Sequence, residues 1–152
     1  MVDFFMIHPD TFLKTNFNGA KGLVFVEDKI IAYRRDNKTN NSPGLMDLPG
    51  GGPEANESPF ETFKREVYEE FGIKIKEEDI IASFRKNSIF HPGTKSFFIV
   101  AKTKFNKNDI IFGNEGSEWM LMTVEEFINR PDGIERQQNR VREYLSGNIV
   151  SE

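Results

Sequence analysis

Residues Gly51–Ile73 read GGPEANESPFETFKREVYEEFGI. Ser58 and Pro59 supply an N-cap followed by proline at the first helical position, and Glu61 stands in the capping-box place. A helix therefore begins there, and Gly72 is placed to stop it in the left-handed conformation. Phe60, Phe63, Val67 and Phe71 fall within an arc of about 80° at 100° per residue, an apolar stripe that must pack against a second layer. Glu66, Glu69 and Glu70 stand at i, i+3 and i+4 and point about 65° or more away from the centre of that stripe. Three carboxylates so placed repel one another unless a cation neutralises them, and all-oxygen ligation suits Mg²⁺ or Mn²⁺. Mg²⁺ keeps waters and is usually shared with substrate phosphates, so a pyrophosphate is the natural cargo. Ahead of the helix, Gly50, Gly51 and Gly52 let backbone amides and carbonyls approach a ligand with no Cβ in the way.

Working outward, 22–27 (GLVFVE) and 29–34 (KIIAYR) are β-rich runs separated by Asp28, which predicts a hairpin or bulged bend. Residues 35–44 collect Asn, Asp, Ser, Pro and Gly, an exposed loop, and a short strand follows over 45–48. Three more strands are expected over 80–90, 95–105 and 118–122. Thr123, with Glu126 three residues later, caps a short helix, and 134–146 forms a terminal helix. Strands interrupted by one central helix and closed by others predict an α/β fold, a layered sandwich around a mixed sheet.

The chain has 152 residues, the size of one domain, so 1–152 is read as a single unit. A net charge of -4 and a pI near 5.3 lack the basic excess that an extended nucleic-acid partner requires. With no cysteine, thiolate catalysis, disulfides and Cys-ligated metals are excluded, and any metal must use oxygen or histidine. The longest apolar run is about five residues, against roughly 18 for a membrane span. Asp3 stands where an export leader would carry Lys or Arg, so a cytoplasmic location is expected. His8 and His91 have no partner motif and read as ordinary loop residues.

Gly51, five residues, Glu57, seven residues, Arg65-Glu66-Val67, one residue, Glu69-Glu70, one residue, Gly72-Ile73: this spacing resembles the complete Nudix box, with no departure. At average composition the match has a chance of roughly 10⁻⁶ over the chain. Leu48-Pro49-Gly50-Gly51 is similar to the family's usual approach to the box. The resemblance implies a Nudix-like α/β/α sandwich. It implies hydrolysis of a nucleoside diphosphate linked to another moiety, with a small nucleotide as substrate and Mg²⁺ or Mn²⁺ as cofactor. It makes Glu69 and Glu70 the principal metal ligands, completed by the carbonyl of Gly50, with Glu66 as a further ligand or the general base. Arg65 and Glu57 would be the family's buried ion pair, holding the loop against the helix and orienting Glu66 and Glu69. Gly51 and Gly52 would lie along the substrate, and Arg34 and Arg35 are candidate phosphate contacts.

A nucleotide-binding module without turnover and an RNA-end pyrophosphohydrolase are the alternative readings, and a homodimer is compatible with all of them. Ser88 and Ile89 occupy the region where similar ADP-ribose hydrolases carry a proline, and the coenzyme A pattern is not matched. Nucleoside triphosphates and nucleotide sugars therefore lead. Several relatives are similar in supplying one more acid from near the end of the sheet. Glu118 is the choice over Glu115, because a strand through 118–122 sends the apolar Trp119 to the core and Glu118 to the opposite side, as a carboxylate for the metal.

Overall fold

Side chains alternate between the two faces of a strand, and over residues 20–26, 30–33 and 97–101 members of both sets are buried, so the sheet must be covered on both faces. The computed structural model describes residues 6–39, 41–149 and 151–152, which leaves Asp3 outside the described residues. In chain order the elements are β1 (Gly19–Val26), β2 (Lys29–Arg35), β3 (Met46–Asp47), β4 (Gly50–Gly51), α1 (Pro59–Phe71), β5 (Ile80–Asn87), β6 (Lys95–Lys102), β7 (Gly116–Met122), α2 (Val124–Ile128) and α3 (Glu135–Ser146). The order β3-β2-β1-β6-β5 is extended by β4 on β1 and β7 on β2. β1 and β6 run parallel while the other named pairs are antiparallel, which makes the sheet mixed.

Val24, Val26, Ile31, Ile99 and Ala101 point to one face, where Phe60, Phe63, Val67 and Phe71 of α1 meet them. Leu23, Ile30, Ala32, Phe98 and Val100 point to the other, under Phe127 of α2 and Val141 of α3. This is the expected α/β/α sandwich. In α1, Ser58 Oγ accepts from the Glu61 amide at 3.1 Å and Glu61 Oε1 accepts from the Ser58 amide at 2.8 Å, closing the capping box. At the other end Gly72 adopts φ +72°, as its placement requires. Among the described residues, no helix is long and apolar enough to cross a membrane.

Two differences from the sequence reading matter. Strands expected to reach residues 90 and 105 stop at Asn87 and Lys102. Ser88 turns to pair its amide with Thr94, and Thr103 turns to donate its amide and hydroxyl to the Phe25 carbonyl. Gly50–Gly51, expected within the loop, pairs as β4 with Ala20–Lys21 of β1. β2 pairs with β1 only at Phe25–Val26, so β4 takes up the edge of β1 where β2 has left it.

Phe63 is fully buried between α1 and the sheet. Phe63→Ala is expected to cost about 3–5 kcal/mol, read as a lowered urea midpoint with an unchanged slope.

Candidate active site

The site begins where β4 is wedged between β1 and α1. A Cβ on Gly51 would lie 1.6 Å from Glu66 Oε2, so only glycine lets the strand pass this close to that carboxylate. Gly50 donates its amide to Glu70 Oε1 at 3.1 Å, and Glu70 is buried. Lys21 sits beneath the strand, donating to Asp47 at 2.8 Å, to the Leu48 carbonyl at 3.2 Å and to the Gly50 carbonyl at 3.3 Å.

Arg65 ties these parts together. It donates to Glu57 from Nε at 2.7 Å and from Nη2 at 3.1 Å, a two-pronged contact. The same guanidinium reaches the Gly52 carbonyl at 2.9 Å, Glu66 at 3.2 Å and Glu69 at 3.3 Å. The expected pair between Arg65 and Glu57 is therefore present, although the side chains are 21% and 16% exposed rather than sealed in the core.

Glu66, Glu69 and Glu115 each bring one carboxylate oxygen to within 4.8 Å of the others. Burial, followed by the charge of Glu115, pushes the Glu66 carboxyl up to about 7 in the metal-free chain. Burial also raises Glu70 well above the usual carboxylate range, against the opposing charge of Lys21. Hard oxygen donors gathered under mutual repulsion suit a small divalent cation.

The acid that joins the box helix is thus Glu115 and not Glu118. Alternation behaves as expected, with Trp119 packed on the cluster beneath α1. Because α1 lies on the same face as Trp119, Glu118 is left on the opposite face, 3.0 Å from Arg34 Nε. Glu115 arrives because Ile111 and Gly113 donate their amides to the Phe71 and Glu70 carbonyls, at 2.9 and 2.7 Å, docking 111–115 on the end of α1.

Glu70 is likewise outside the three-carboxylate group, turned to the Gly50 amide. Arg34 is taken up by Glu118, the Gly44 carbonyl and Asp132. Arg35 bonds Asp47, Thr39 and the Asn41 carbonyl, and lines a shallow cavity with Tyr33 and Glu115. A second cavity, of about 290 Å³, borders Gly51 and Gly52, and Arg136 and Arg140 of α3 line it. The sequence reading passed over these two arginines. Their signal was a like-charged pair at i and i+4, which costs helix stability without a ligand.

The sequence profile of the NUDIX domain matches residues 16–144. The chain belongs to the NUDIX family. No curated protein matches it. The solved MutT protein of Methanosarcina mazei Go1 is similar at 22% identity and TM-score 0.69, covering 91% of this chain and 99% of that one. A bifunctional NMN adenylyltransferase/ADP ribose pyrophosphatase of Francisella tularensis, solved with AMP and Mn, gives TM-score 0.70 at 20% identity. That alignment covers 89% of this chain but only 42% of the bifunctional protein. A C. elegans Ap4A hydrolase gives TM-score 0.65 at 15% identity, covering 86% and 97% of the two chains. At these identities the likeness is one of fold. Family membership makes this Nudix chain a hydrolase of pyrophosphate bonds in nucleoside diphosphate derivatives.

Arg65 holds the Glu57 carboxyl down at about 2. The folded value lies below the unfolded value of about 4.3, so the stabilisation is complete above that pH and disappears as pH falls toward 2. Arg65→Ala is expected to cost about 1–3 kcal/mol at pH 7, less than for a sealed pair, with the deficit shrinking between pH 4 and 2. Urea denaturation of both proteins across that range measures it.

Proposed function

We propose that this Nudix hydrolase is a Mg²⁺- or Mn²⁺-dependent pyrophosphohydrolase cleaving a nucleoside triphosphate or nucleotide sugar. The observation that carries the reading is the convergence of Glu66, Glu69 and Glu115 beside the loop of Gly51 and Gly52. The carboxylates of Glu69 and Glu115 are exposed and open to an ion, and Glu66 is partly buried behind them. A divalent cation bound there supplies positive charge to the oxygens of the pyrophosphate and lowers the pKa of a water.

The chain's own groups do the remainder. Arg65 Nη1 fixes Glu66 and Glu69 relative to each other, which restrains two flexible side chains in one orientation. Glu66, partly buried beside the two exposed carboxylates, is the base, taking the proton of the attacking water at a carboxylate oxygen. Glu70 holds the Gly50 amide, which keeps the Gly50 carbonyl and the Gly51–Gly52 segment at a fixed height over α1. Lys21 shares the Gly50 carbonyl from below, so that oxygen is a weaker donor to an ion than a free carbonyl. Arg35 lies beside Glu115 on the cavity wall, which supports a contact with a substrate phosphate. The Francisella tularensis neighbour, solved with AMP and Mn, supports a nucleotide and a divalent ion on this fold.

The test is turnover on a panel of nucleoside triphosphates and nucleotide sugars, with Mg²⁺, Mn²⁺ or EDTA present. Hydrolysis in either metal and none in EDTA is expected. Glu69→Gln and Glu115→Gln should each lower kcat by roughly a hundredfold or more with thermal midpoints unchanged or raised, because each relieves repulsion in the metal-free chain. Glu118→Gln should keep turnover within about twofold. Full activity of Glu115→Gln would remove it from the site, and binding of nucleotides without hydrolysis would mark a module that has lost turnover.

A further inference from the structure

The cavity beside the Gly51–Gly52 loop has walls from six segments of the chain, and Asn18, Phe90, Arg136 and Arg140 are among its lining residues. Three features of it have no use in the fold. Arg136 and Arg140 sit one turn apart on the same side of α3, both half-buried. Among the described residues neither guanidinium has a hydrogen-bonded or ion-paired partner, whereas Arg34, Arg35, Arg65, Arg85 and Arg130 each hold a carboxylate. The acids whose charge reaches them have other bonds: Asp47, near Arg136, holds Lys21 and Arg35, while of the two near Arg140, Glu143 holds Lys86 and Glu152 accepts from the Asn87 amide. Burial, the largest effect on each, pulls both arginines below their usual pKa, so their charge is held there at a cost.

The second feature is the contact of Arg136 with Phe90, its guanidinium carbon 4.9 Å from the ring centre. Phe90 lies in the turn after β5 and is 52% exposed, so a flat, stacked surface stands ready at the cavity wall. The third is Asn18 Oδ1, a buried acceptor with no donor among the described residues. A buried acceptor left unpaired is costly, and a ligand that supplies a hydrogen removes the cost.

We infer that this cavity receives the base of the nucleotide and selects a 6-oxopurine, guanine in first place, through Arg136, Arg140 and Asn18. The inference rests on the proposed function and names the substrate class of that same site. Among the polar groups of the wall, the two guanidinium forks and the unpaired Asn18 acceptor are matched by a ligand that returns adjacent acceptors and a donor. Guanine does so, with O6 and N7 side by side for the fork and N1–H and the 2-amino group to donate. Adenine places a donor at the 6-position, where it meets the guanidinium hydrogens, and pyrimidines have no N7. An inorganic phosphate accepts from both arginines but has little to give Asn18. Stacking on an aromatic ring and a guanidinium plane is a general means of holding an unpaired base. A base seated here sends its phosphate chain along Gly51 and Gly52, and Gly51 abuts Glu66.

Calorimetric titration of the full chain in EDTA with GMP, AMP and inorganic phosphate tests the inference without turnover. GMP is expected to bind at least about tenfold more tightly than AMP or phosphate, the discrimination one guanidinium fork on guanine confers. Arg136→Leu and Arg140→Leu should bring GMP down to the affinity of AMP, and Asn18→Ala should weaken GMP alone. Arg136→Lys keeps the charge and the helix but loses the fork, so it too should lose the preference, with a thermal midpoint equal to the parent's. Equal binding of GMP and AMP, phosphate competing as well as GMP, or GMP binding untouched by the arginine variants overturns it. Base-blind hydrolysis of the panel above would sink this inference and leave the proposed function standing. Selective GMP binding without turnover would do the reverse.

Discussion

The close passage of Gly51 over the Glu66 carboxylate is the constraint on which the site depends. It requires β4 to leave the loop and pair with β1, at the edge of β1 that β2 no longer occupies. Once there, the two glycines are fixed from three sides: Glu70 takes the Gly50 amide, Lys21 takes the Gly50 carbonyl and Arg65 takes the Gly52 carbonyl. None of these contacts is large alone, since a net hydrogen bond contributes about 1 kcal/mol. Together they remove the freedom of a glycine-rich segment beside the Glu66 carboxylate.

Charge is managed in two layers around that wedge. Beneath it, Lys21 and Arg35 share the buried Asp47, and Lys21 also faces Glu70, so the carboxylates that water cannot reach have cationic neighbours. Above it, Glu66, Glu69 and Glu115 outnumber Arg65, which among the described residues is the cation that bonds two of them. The upper layer is thus left short of positive charge, a condition that a divalent ion corrects and a folded apo chain must tolerate. The opposite imbalance stands across the loop, where Arg136 and Arg140 have no acid bonded to them among the described residues. A nucleotide lying over Gly51 and Gly52 would span from the acidic side to the basic one.

The amino-acid sequence by itself determined the helix of the box, its caps and its buried stripe, because these depend on residues at most four apart. It also determined the pair of Arg65 with Glu57, the layered mixed sheet and the convergence of Glu66 and Glu69 on one side of the helix. What the tertiary structure decided is which distant groups meet them. Alternation along β7 was legible at Trp119 and Glu118, but the side of the sheet on which α1 lies was not, and that side excludes Glu118. Glu115 is selected instead by backbone hydrogen bonds from Ile111 and Gly113 to the end of α1, a docking that no local pattern encodes. Asn18, Phe90, Arg136 and Arg140 come from three segments as much as 122 positions apart, and only the closure of the sheet against α3 makes them one wall. Local periodicity fixes where a side chain points along its own element. Which partner stands opposite depends on how the elements pack, and packing is a property of the whole chain.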